Sequence, residues 1–301
     1  MENNYILSCE STADLPLSYM TERNISVLCY TYTINDEPVV DSMLMDQTAR
    51  ERLHSALVSP DAVVKTSQIN IGEYLDYFEG LLQKGDVLHV AFNSAMTGSI
   101  RNANEAAEEL REKYPDRKII IADSLCCAGG YGMLMDYAAD MRDSGYTLEQ
   151  MEQWIIENRN KVHHHFFNAD LKYFRKSGRL SGAAAAIATI LNIVPVMRVD
   201  DRGRLIAYDK VRGKQAAINR MLDIMVRHAE NGKEYSGKCI VDHTFNEEDA
   251  KKLFELIRVT FPNITDLRFL DIGDIISSHC GPGTVSFYFI GDERQPEGES
   301  V

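Results

Sequence analysis

Residues 86–122 of the chain read DVLHVAFNSAMTGSIRNANEAAEELREKYPDRKIIIA. The apolar run at residues 86–92 predicts a buried strand, and residues 98–114 carry apolar side chains at helical spacing. A second apolar run at residues 118–122 predicts another strand. A strand, a helix and a strand at this spacing favour two parallel strands joined by a crossover helix.

The same alternation fills the rest of the first half. Strands are predicted at residues 5–9 and 24–34. Helices are predicted at residues 47–58, after the Asn70 cap with Glu73 at the capping-box position, at residues 130–144 and at residues 148–161. The pattern predicts an N-terminal α/β domain, residues 1–160, built on a parallel sheet. Ligands of such sheets bind at the carboxyl ends of the strands.

The second half has a different pattern. Strands are predicted at residues 162–168, 194–199, 204–211, 238–243, 266–272 and 285–290, and helices at residues 181–191, 214–230 and 247–259. A turn at residues 200–203 joins two of these strands as a hairpin. We therefore expect a C-terminal α+β domain, residues 161–291, with a mixed or antiparallel sheet. Residues 292–301 form an acidic tail that is expected to fray.

Charge and composition exclude several classes of function. The 301 residues carry 32 basic and 45 acidic side chains, a net charge of −13, which disfavours binding to nucleic acid. No apolar run reaches the length of about 18 residues that a transmembrane helix needs, and the N-terminus does not resemble a signal peptide. We therefore expect a cytoplasmic protein with no transmembrane segment. The six cysteines form no C-x-x-C pair and are expected to be free thiols, and no metal site is predicted.

Two hydroxyl-rich segments could bind an anion. Thr66, Ser67 and Gln68 precede the cap of a predicted helix, and residues 93–99 form a polar turn between a strand and a helix, with hydroxyls at Ser94 and Thr97. Hydroxyls and free backbone N–H groups at a helix N-terminus suit a carboxylate or a phosphate. The alternative is that both segments only cap helices and form turns. Neither segment contains the lysine of a nucleotide-binding P-loop.

Two further segments offer a cation and a histidine. Residues 175–182 form a compact basic segment in which Arg179 could contact a carboxylate or phosphate, although capping of a helix C-terminus is an equal alternative. Residues 279–283 read HCGPG and predict a tight loop between two strands. His279 in that loop could bind an anion or act in acid–base chemistry, although an isolated histidine in a turn is more often structural.

Taken together and in this order, these segments resemble the motifs of the DegV family of bacterial fatty-acid-binding proteins. The resemblance rests on residues 10–16, 66–68, 93–99, 121–124, 177–181, 191–196, 210–213 and 279–283. The sequence departs from the family pattern at Glu10, Ile69, Asn93 and Ser177. The matches run from about residue 6 to residue 290, nearly the whole chain.

The resemblance implies a long-chain fatty acid held between two domains, in an apolar tunnel of the second. Its carboxylate would lie near Thr66, Ser94, Arg179 and His279. A partner fatty-acid kinase of the dihydroxyacetone-kinase type would phosphorylate the acid to an acyl phosphate that feeds phospholipid synthesis, and Arg212 would help to dock that kinase. The protein itself would be a carrier that needs no cofactor. An alternative is an acyl hydrolase or transferase that uses Ser94 as nucleophile and His279 as base.

Overall fold

The computed structural model describes residues 5–44, 46–180 and 192–298. Its strands are β1 (Tyr5–Glu10), β2 (Ile25–Leu28), β3 (Thr31–Ile34), β4 (Glu37–Val40), β5 (Val64–Thr66), β6 (Asp86–Ala91), β7 (Ile119–Asp123), β8 (Val162–Phe167), β9 (Ile193–Val199), β10 (Leu205–Arg212), β11 (Lys238–His243), β12 (Asp266–Asp271) and β13 (Val285–Ile290). Its α-helices are α1 (Leu17–Glu22), α2 (Gln47–Val58), α3 (Ile71–Leu82), α4 (Ser99–Lys113), α5 (Ala128–Asp143), α6 (Leu148–Asn158), α7 (Lys172–Ser177), α8 (Lys214–His228), α9 (Glu247–Thr260) and α10 (Asp274–Cys280). Short 3-10 turns lie at Ser11–Ala13, Arg159–Lys161 and Gly232–Glu234.

The first half contains the predicted parallel sheet. Its strand order is β2-β1-β6-β7, and every pair in it is parallel. Helix α4 returns the chain from β6 to β7, as the sequence of residues 86–122 indicates. Asn70 caps α3 with the predicted reciprocal bonds to Glu73. The prediction of an α/β fold with a parallel N-terminal sheet is confirmed.

The predicted strand over residues 24–34 is wrong, because the chain divides there between two sheets. Strand β2 joins the parallel sheet, whereas β3 belongs to a small antiparallel sheet of order β4-β3-β5. Tyr30 lies between them, and its backbone N–H donates to the Ser11 hydroxyl at 3.1 Å instead of to a neighbouring strand. The β-branched residues before and after Tyr30 form one continuous strand-like pattern in the sequence, so the pattern does not show the break between β2 and β3. This small sheet matters because β5 ends at Thr66.

The second half contains the predicted mixed sheet. Its order is β10-β9-β8-β13-β11-β12, with β11 and β12 parallel and the other pairs antiparallel. The strands of the parallel sheet end at Asp123 and those of the mixed sheet begin at Val162. The division of the chain near residue 160 stays a prediction, as does the separate C-terminal unit. The helix predicted at residues 181–191 lies outside the described residues.

The tail was expected to fray, but residues 292–296 make defined contacts with the rest of the protein. The Arg294 side chain is 3% exposed, and its guanidinium donates to the Leu125 carbonyl at 3.0 Å and to the Asn160 amide oxygen at 2.9 Å. The Asp292 carboxylate lies 3.1 Å from His163 Nε2. These contacts hold residues 292–294 against β8 and against the segments at Leu125 and Asn160. Within the described residues, no helix is long and apolar enough to cross a membrane.

Helix α5 lies between the two halves and is buried along most of its length. Two glycines permit this close approach. A Cβ atom on Gly130 would lie 2.2 Å from His164 Nε2, and one on Gly129 would lie 2.7 Å from the Tyr288 ring. The backbone N–H of Gly129 donates to the buried Asp242 carboxylate at 3.2 Å. The helix therefore contacts the mixed sheet with its backbone.

The close contact between α5 and the mixed sheet predicts that alanine substitution has opposite effects on stability at Gly130 in α5 and at Gly80 in α3. Gly130→Ala should lower the free energy of unfolding by about 1–3 kcal/mol, because the new methyl group overlaps a ring in a packed core. Gly80→Ala is the control, since a Cβ at Gly80 has no atom within 4 Å. It should raise the free energy of unfolding by about 0.5–1 kcal/mol, through the better helix propensity of alanine. Urea denaturation measures both, and a Gly130→Ala protein as stable as the parent would contradict the close approach.

Candidate functional site

A cavity lies between the carboxyl ends of the parallel strands, the start of α5 and one face of the mixed sheet. Most of its wall is apolar and is formed by Tyr30, Phe92, Met96, Ala128, Phe166, Phe174, Leu205, Ile272, Ile275, Ile276 and Tyr288. Polar side chains also line it: Thr66, Ser67, Gln68, Thr97, His164, Arg179, His279, Thr284 and Ser286. An apolar cavity with a few polar groups is the usual form of a site for a small amphiphilic molecule.

Thr66 and His279 meet in this cavity although 213 positions separate them. The Thr66 hydroxyl and His279 Nε2 lie 2.9 Å apart and share a hydrogen bond. Thr66 is the last residue of β5, and the backbone N–H of the following Ser67 donates to the Thr31 carbonyl at 3.1 Å. The small antiparallel sheet therefore positions Thr66, and α10 positions His279.

His279 lies in a helix, which corrects the expected loop between two strands. It occupies the last turn of α10, and the loop begins after Cys280, where Gly281 and Gly283 have positive φ angles. Burial, with a smaller contribution from the Arg179 guanidinium, lowers the pKa of His279 to about 4. The imidazole is therefore neutral at pH 7.

Arg179 follows the end of α7. Gly178 ends that helix in the left-handed conformation, with φ of 68°, so the capping interpretation of this basic segment is confirmed, and the contact of Arg179 with an anion stays a prediction. The Arg179 guanidinium donates to the Ser177 carbonyl and is exposed while lining the cavity. A cation thus stands at the edge of the polar group that contains Thr66 and His279.

The turn after β6 places Thr97, and not Ser94, in the cavity wall. The buried Asn93 amide donates to the Gly203 carbonyl at 2.8 Å and accepts from the Ala95 N–H at 2.9 Å, which fixes the turn. Ser94 is exposed, and its backbone N–H donates to the Asp123 carboxylate at 3.2 Å. The Thr97 hydroxyl lies 2.9 Å from that of Ser99. The structure therefore does not bring Ser94 together with Thr66 and His279 in the cavity wall, and Thr97 is the hydroxyl of this turn that lines the cavity.

The same geometry removes the basis for the Ser94/His279 hydrolase or transferase. Such an enzyme needs its nucleophile within hydrogen-bond distance of its base. Among the described residues, the hydrogen-bond partner of His279 Nε2 is Thr66, and Ser94 is not in the cavity wall. The two residues that were expected to approach each other are not brought together.

Tyr30 is a polar lining residue that the sequence did not indicate. It is 3% exposed, and its hydroxyl makes no hydrogen bond of ordinary geometry among the described residues, although the nearby Ser99 and Thr97 hydroxyls act to lower its pKa. Burial raises its pKa, so the phenol stays protonated and can donate. An unpaired buried donor costs free energy unless a ligand satisfies it. In the sequence, Tyr30 is one aromatic residue in a strand-like run, which is typical of a core position.

His164 was also missed. His163, His164 and His165 follow one another in β8, so His164 points to the opposite face from its two neighbours and lines the cavity. Its Nδ1 lies 2.8 Å from the Val162 carbonyl and its Nε2 lies 3.2 Å from the Cys127 N–H.

Within the described part of the chain, no group of three or more histidine, cysteine or carboxylate side chains has the arrangement to hold a metal ion.

Arg212, the predicted docking residue, is not among the residues that line the cavity with Thr66, Arg179 and His279. It is the last residue of β10, the edge strand of the mixed sheet, and it is exposed. Gly213 follows with a φ of 82° and leads into α8. The side chain is thus available at the surface for another molecule.

Comparison with known proteins assigns the family. A family model described as "Uncharacterised protein, DegV family" matches residues 7–292. A DegV domain-containing protein of Clostridium perfringens is 31% identical over 293 residues, which cover 97% of this chain and 99% of the relative. A DegV domain-containing protein of Streptococcus pyogenes is 30% identical over 302 residues, which cover 97% and 99%.

Solved structures share the fold. A DegV lipid-binding protein of Thermotoga maritima superposes with a TM-score of 0.83 at 23% identity, covering 97% of this chain and 100% of that one. The fatty acid kinase B3 protein of Streptococcus pneumoniae, solved with linoleic acid, gives 0.81 at 23% identity, covering 96% and 100%. DegV of Bacillus subtilis, described as a fatty-acid-binding protein, gives 0.83 at 21% identity, covering 96% and 99%. The family model and the relatives together show that this chain belongs to the DegV family.

Proposed function

We propose that this protein binds a long-chain fatty acid in the cavity, with its carboxylate at the polar group formed by Thr66, Thr97, Arg179 and His279. The observation that carries the proposal is a cavity with a mostly apolar wall. The polar part of that wall contains the Thr66–His279 pair and the Tyr30 hydroxyl, which makes no hydrogen bond of ordinary geometry among the described residues. Two structures of the same fold, from Streptococcus pneumoniae and Eubacterium eligens, have been solved with linoleic and heptadecanoic acids. The rest of the wall is mostly aliphatic and aromatic, with further polar side chains at Ser67, Gln68, His164, Thr284 and Ser286.

The apolar wall would supply most of the affinity. Burying one methylene contributes about 0.8 kcal/mol, so a chain of about fifteen contributes roughly 12 kcal/mol before the costs of association. The polar group would contribute orientation, because a carboxylate leaves water only where hydrogen bonds or a cation replace its hydration. Thr66, Thr97 and Tyr30 offer hydroxyl donors, and Arg179 offers the cation.

We further propose that the protein is a carrier that presents the carboxylate to a fatty-acid kinase of the dihydroxyacetone-kinase type. That cytoplasmic partner would form an acyl phosphate for phospholipid synthesis. The carrier role is supported by the exposure of Arg179 and Arg212, which another protein can reach, and by the lipid ligands of proteins with the same fold. Arg212 would contact the kinase, and the carrier would need no cofactor of its own.

Extraction and rebinding of lipid test the binding function. Solvent extraction of the purified protein followed by mass spectrometry should recover fatty acid, and delipidated protein should take up added hexadecanoic acid. Thr66→Val should weaken uptake by about tenfold or more, because it removes a hydrogen bond to a charged group while keeping the side-chain shape. Thr48→Val, at an exposed position of α2, is the matched control and should not change uptake. A protein that neither carries nor takes up fatty acid would contradict the proposal.

Protonation of His279 should accompany binding. Burial and Arg179 lower the His279 pKa to about 4 without ligand, and a carboxylate beside the ring would raise it by stabilising the imidazolium. Between pH 4 and the higher pKa of the complex, the complex binds more protons than the free protein, so affinity rises as pH falls. Calorimetry with decanoic acid at pH 6, in two buffers of different ionisation enthalpy, measures the proton uptake. His279→Gln should abolish the proton uptake. Equal proton uptake by the variant and the parent would show that His279 is not the group that is protonated on binding.

Arg212 should separate binding from phosphorylation. Arg212→Ala should leave the dissociation constant for hexadecanoic acid unchanged, since Arg212 is exposed at the sheet edge. Phosphorylation by the purified kinase should fall by about tenfold or more, as is typical when one partner of an interfacial ion pair is truncated. Arg101→Ala, at an exposed position of α4, is the matched control. Loss of lipid binding in Arg212→Ala, or unchanged phosphorylation, would show that Arg212 does not dock the kinase.

A further inference from the structure

Three carboxyl groups lie near one another beside the start of α10, and we call Asp14, Asp41 and Asp274 the carboxyl cluster. They come from three separate parts of the chain. Asp14 follows β1 and a 3-10 turn, Asp41 follows β4, and Asp274 is the first residue of α10. Asp14 is 1% exposed and Asp41 is 4% exposed. The charges of Asp41 and Asp274 both act on Asp14, and that of Asp274 acts on Asp41.

Asp14 packs directly against the backbone that leads into α10. A Cβ atom on Gly273, the residue before that helix, would lie 2.3 Å from Asp14 Oδ1. Neither oxygen of Asp14 makes a hydrogen bond of ordinary geometry among the described residues, although the Gly273 N–H acts to lower its pKa. Oδ2 of Asp41 likewise has no hydrogen-bond partner there. A buried carboxylate with so few partners is costly to keep ionised.

The positive charge around the cluster is too small to neutralise it. Among the described residues, neither buried aspartate of the cluster has an ion pair, and Asp274 pairs with Arg50 at 4.0 Å. Arg50 lies closer to Asp271, at 2.9 Å. His243 lies 3.5 Å from Asp271, and burial lowers its pKa, so the ring is neutral above pH 7. One guanidinium therefore serves four carboxyl groups.

The other groups around the cluster add no cation. The Tyr32 hydroxyl donates to the Asp274 carboxylate at 2.9 Å, and the Ser11 hydroxyl acts to lower the pKa of Asp41. Among the described residues, the further titratable groups coupled to Asp14 or Asp41 are thiols, a phenol and a carboxyl: Cys29, Cys127, Cys280, Tyr288 and Asp242. A proton is the remaining source of positive charge.

The pKa values of the cluster agree with this charge balance. Burial raises the pKa of Asp41 to about 7, and Asp274 adds to the rise, whereas Ser11 and Arg50 oppose it. Burial, and after it the charge of Asp41, also raises the pKa of Asp14. An aspartate in an unfolded chain has a pKa of about 4. The folded protein therefore holds a proton at neutral pH that the unfolded chain releases.

Helix α10 connects the cluster to the ligand site. Ile275 and Ile276 follow Asp274 in this helix and line the cavity. His279, in the last turn, shares the hydrogen bond with Thr66. The helix has only seven residues, so a displacement of its start moves the cavity wall and the imidazole as well.

We propose that a proton held within the carboxyl cluster keeps α10 against the turns that follow β1 and β4, and thereby positions His279 and the cavity wall for the fatty acid. The inference rests on the proposed function. When the proton leaves, Asp14, Asp41 and Asp274 repel one another, and α10 moves away from Asp14. Asp14 and Asp41 are thus positioning residues that act through α10. The binding site is ordered at lower pH and loosens as the pH rises.

The pH dependence of unfolding tests for the proton. Because the folded protein binds a proton that the unfolded chain does not, the free energy of unfolding should fall as pH rises from 6.5 to 8.5. Asp41→Asn keeps the side-chain shape and cannot ionise, so it should show about half of the parent's fall or less. It should also be more stable than the parent at pH 8.5. Asp14→Asn should behave in the same way. Asp223→Asn, at an exposed position of α8, is the matched control and should follow the parent.

Decanoic acid tests the positioning role on the delipidated full-length protein. Raising the pH from 6.5 to 8.5 should weaken binding to the parent by about threefold or more beyond the change seen in Asp41→Asn. His279 is present in both proteins, so the comparison removes its own titration. Asp223→Asn should again follow the parent. Isothermal calorimetry at each pH gives the dissociation constants.

The outcomes are separable. The same pH dependence of unfolding in the parent, Asp41→Asn and Asp14→Asn would show that the cluster holds no proton, and so would an Asp41→Asn protein that fails to fold at pH 8.5. A changed pH dependence of unfolding with an unchanged pH dependence of binding would show that the proton stabilises the fold without positioning α10, which also overturns the proposal. Failure of decanoic and hexadecanoic acids to bind the parent at pH 6.5 would instead contradict the proposed function, and the unfolding measurements would still decide whether the cluster holds a proton.

Discussion

The hydrogen bond between Thr66 and His279 joins the parts of the molecule on which a binding site depends. It connects the small antiparallel sheet of the first half to the last turn of α10 in the second. Both residues of the pair line the cavity. A threonine and an imidazole that is neutral without ligand suit this position, because the free protein then places no charge against an apolar wall, and the ring can take up a proton when an anion binds. The permanent charge of Arg179 stays at the exposed rim.

The apolar wall depends on a different constraint, the close approach of α5 to the mixed sheet. Cys127 and Ala128 begin that helix and line the cavity, opposite His164 and Tyr288. Gly129 and Gly130 allow the contact, and the Asp242 carboxylate accepts from both the Ser286 hydroxyl and the Gly129 N–H. Asp242 is buried, and this burial raises its pKa to about 7. The apolar side chains that line the cavity favour a hydrocarbon chain over a polar ligand.

Sequence reasoning predicted the elements that have strong periodicity or clear caps, such as β6, α4 and α3. The resemblance to the DegV family selected Thr66, Arg179 and His279, which line the cavity, whereas the residues alone left a capping or structural role open for each of them. It failed where tertiary contacts decide. A turn fixed by Asn93 exposes Ser94 and turns Thr97 inward, and spacing alone does not show which hydroxyl faces the cavity. Tyr30, Phe166 and Phe174 have the pattern of ordinary core residues, because a ligand chain and a protein core select the same side chains.

The most direct measurement of the central claim is a crystal structure of the delipidated protein after addition of hexadecanoic acid. The carboxylate should lie within hydrogen-bond distance of the Thr66 hydroxyl and close to His279, with the alkyl chain running between Phe166 and Ile275 in the cavity. A ligand bound elsewhere would contradict the account. So would a chain that occupies the cavity in the reverse direction, with its carboxylate away from Thr66.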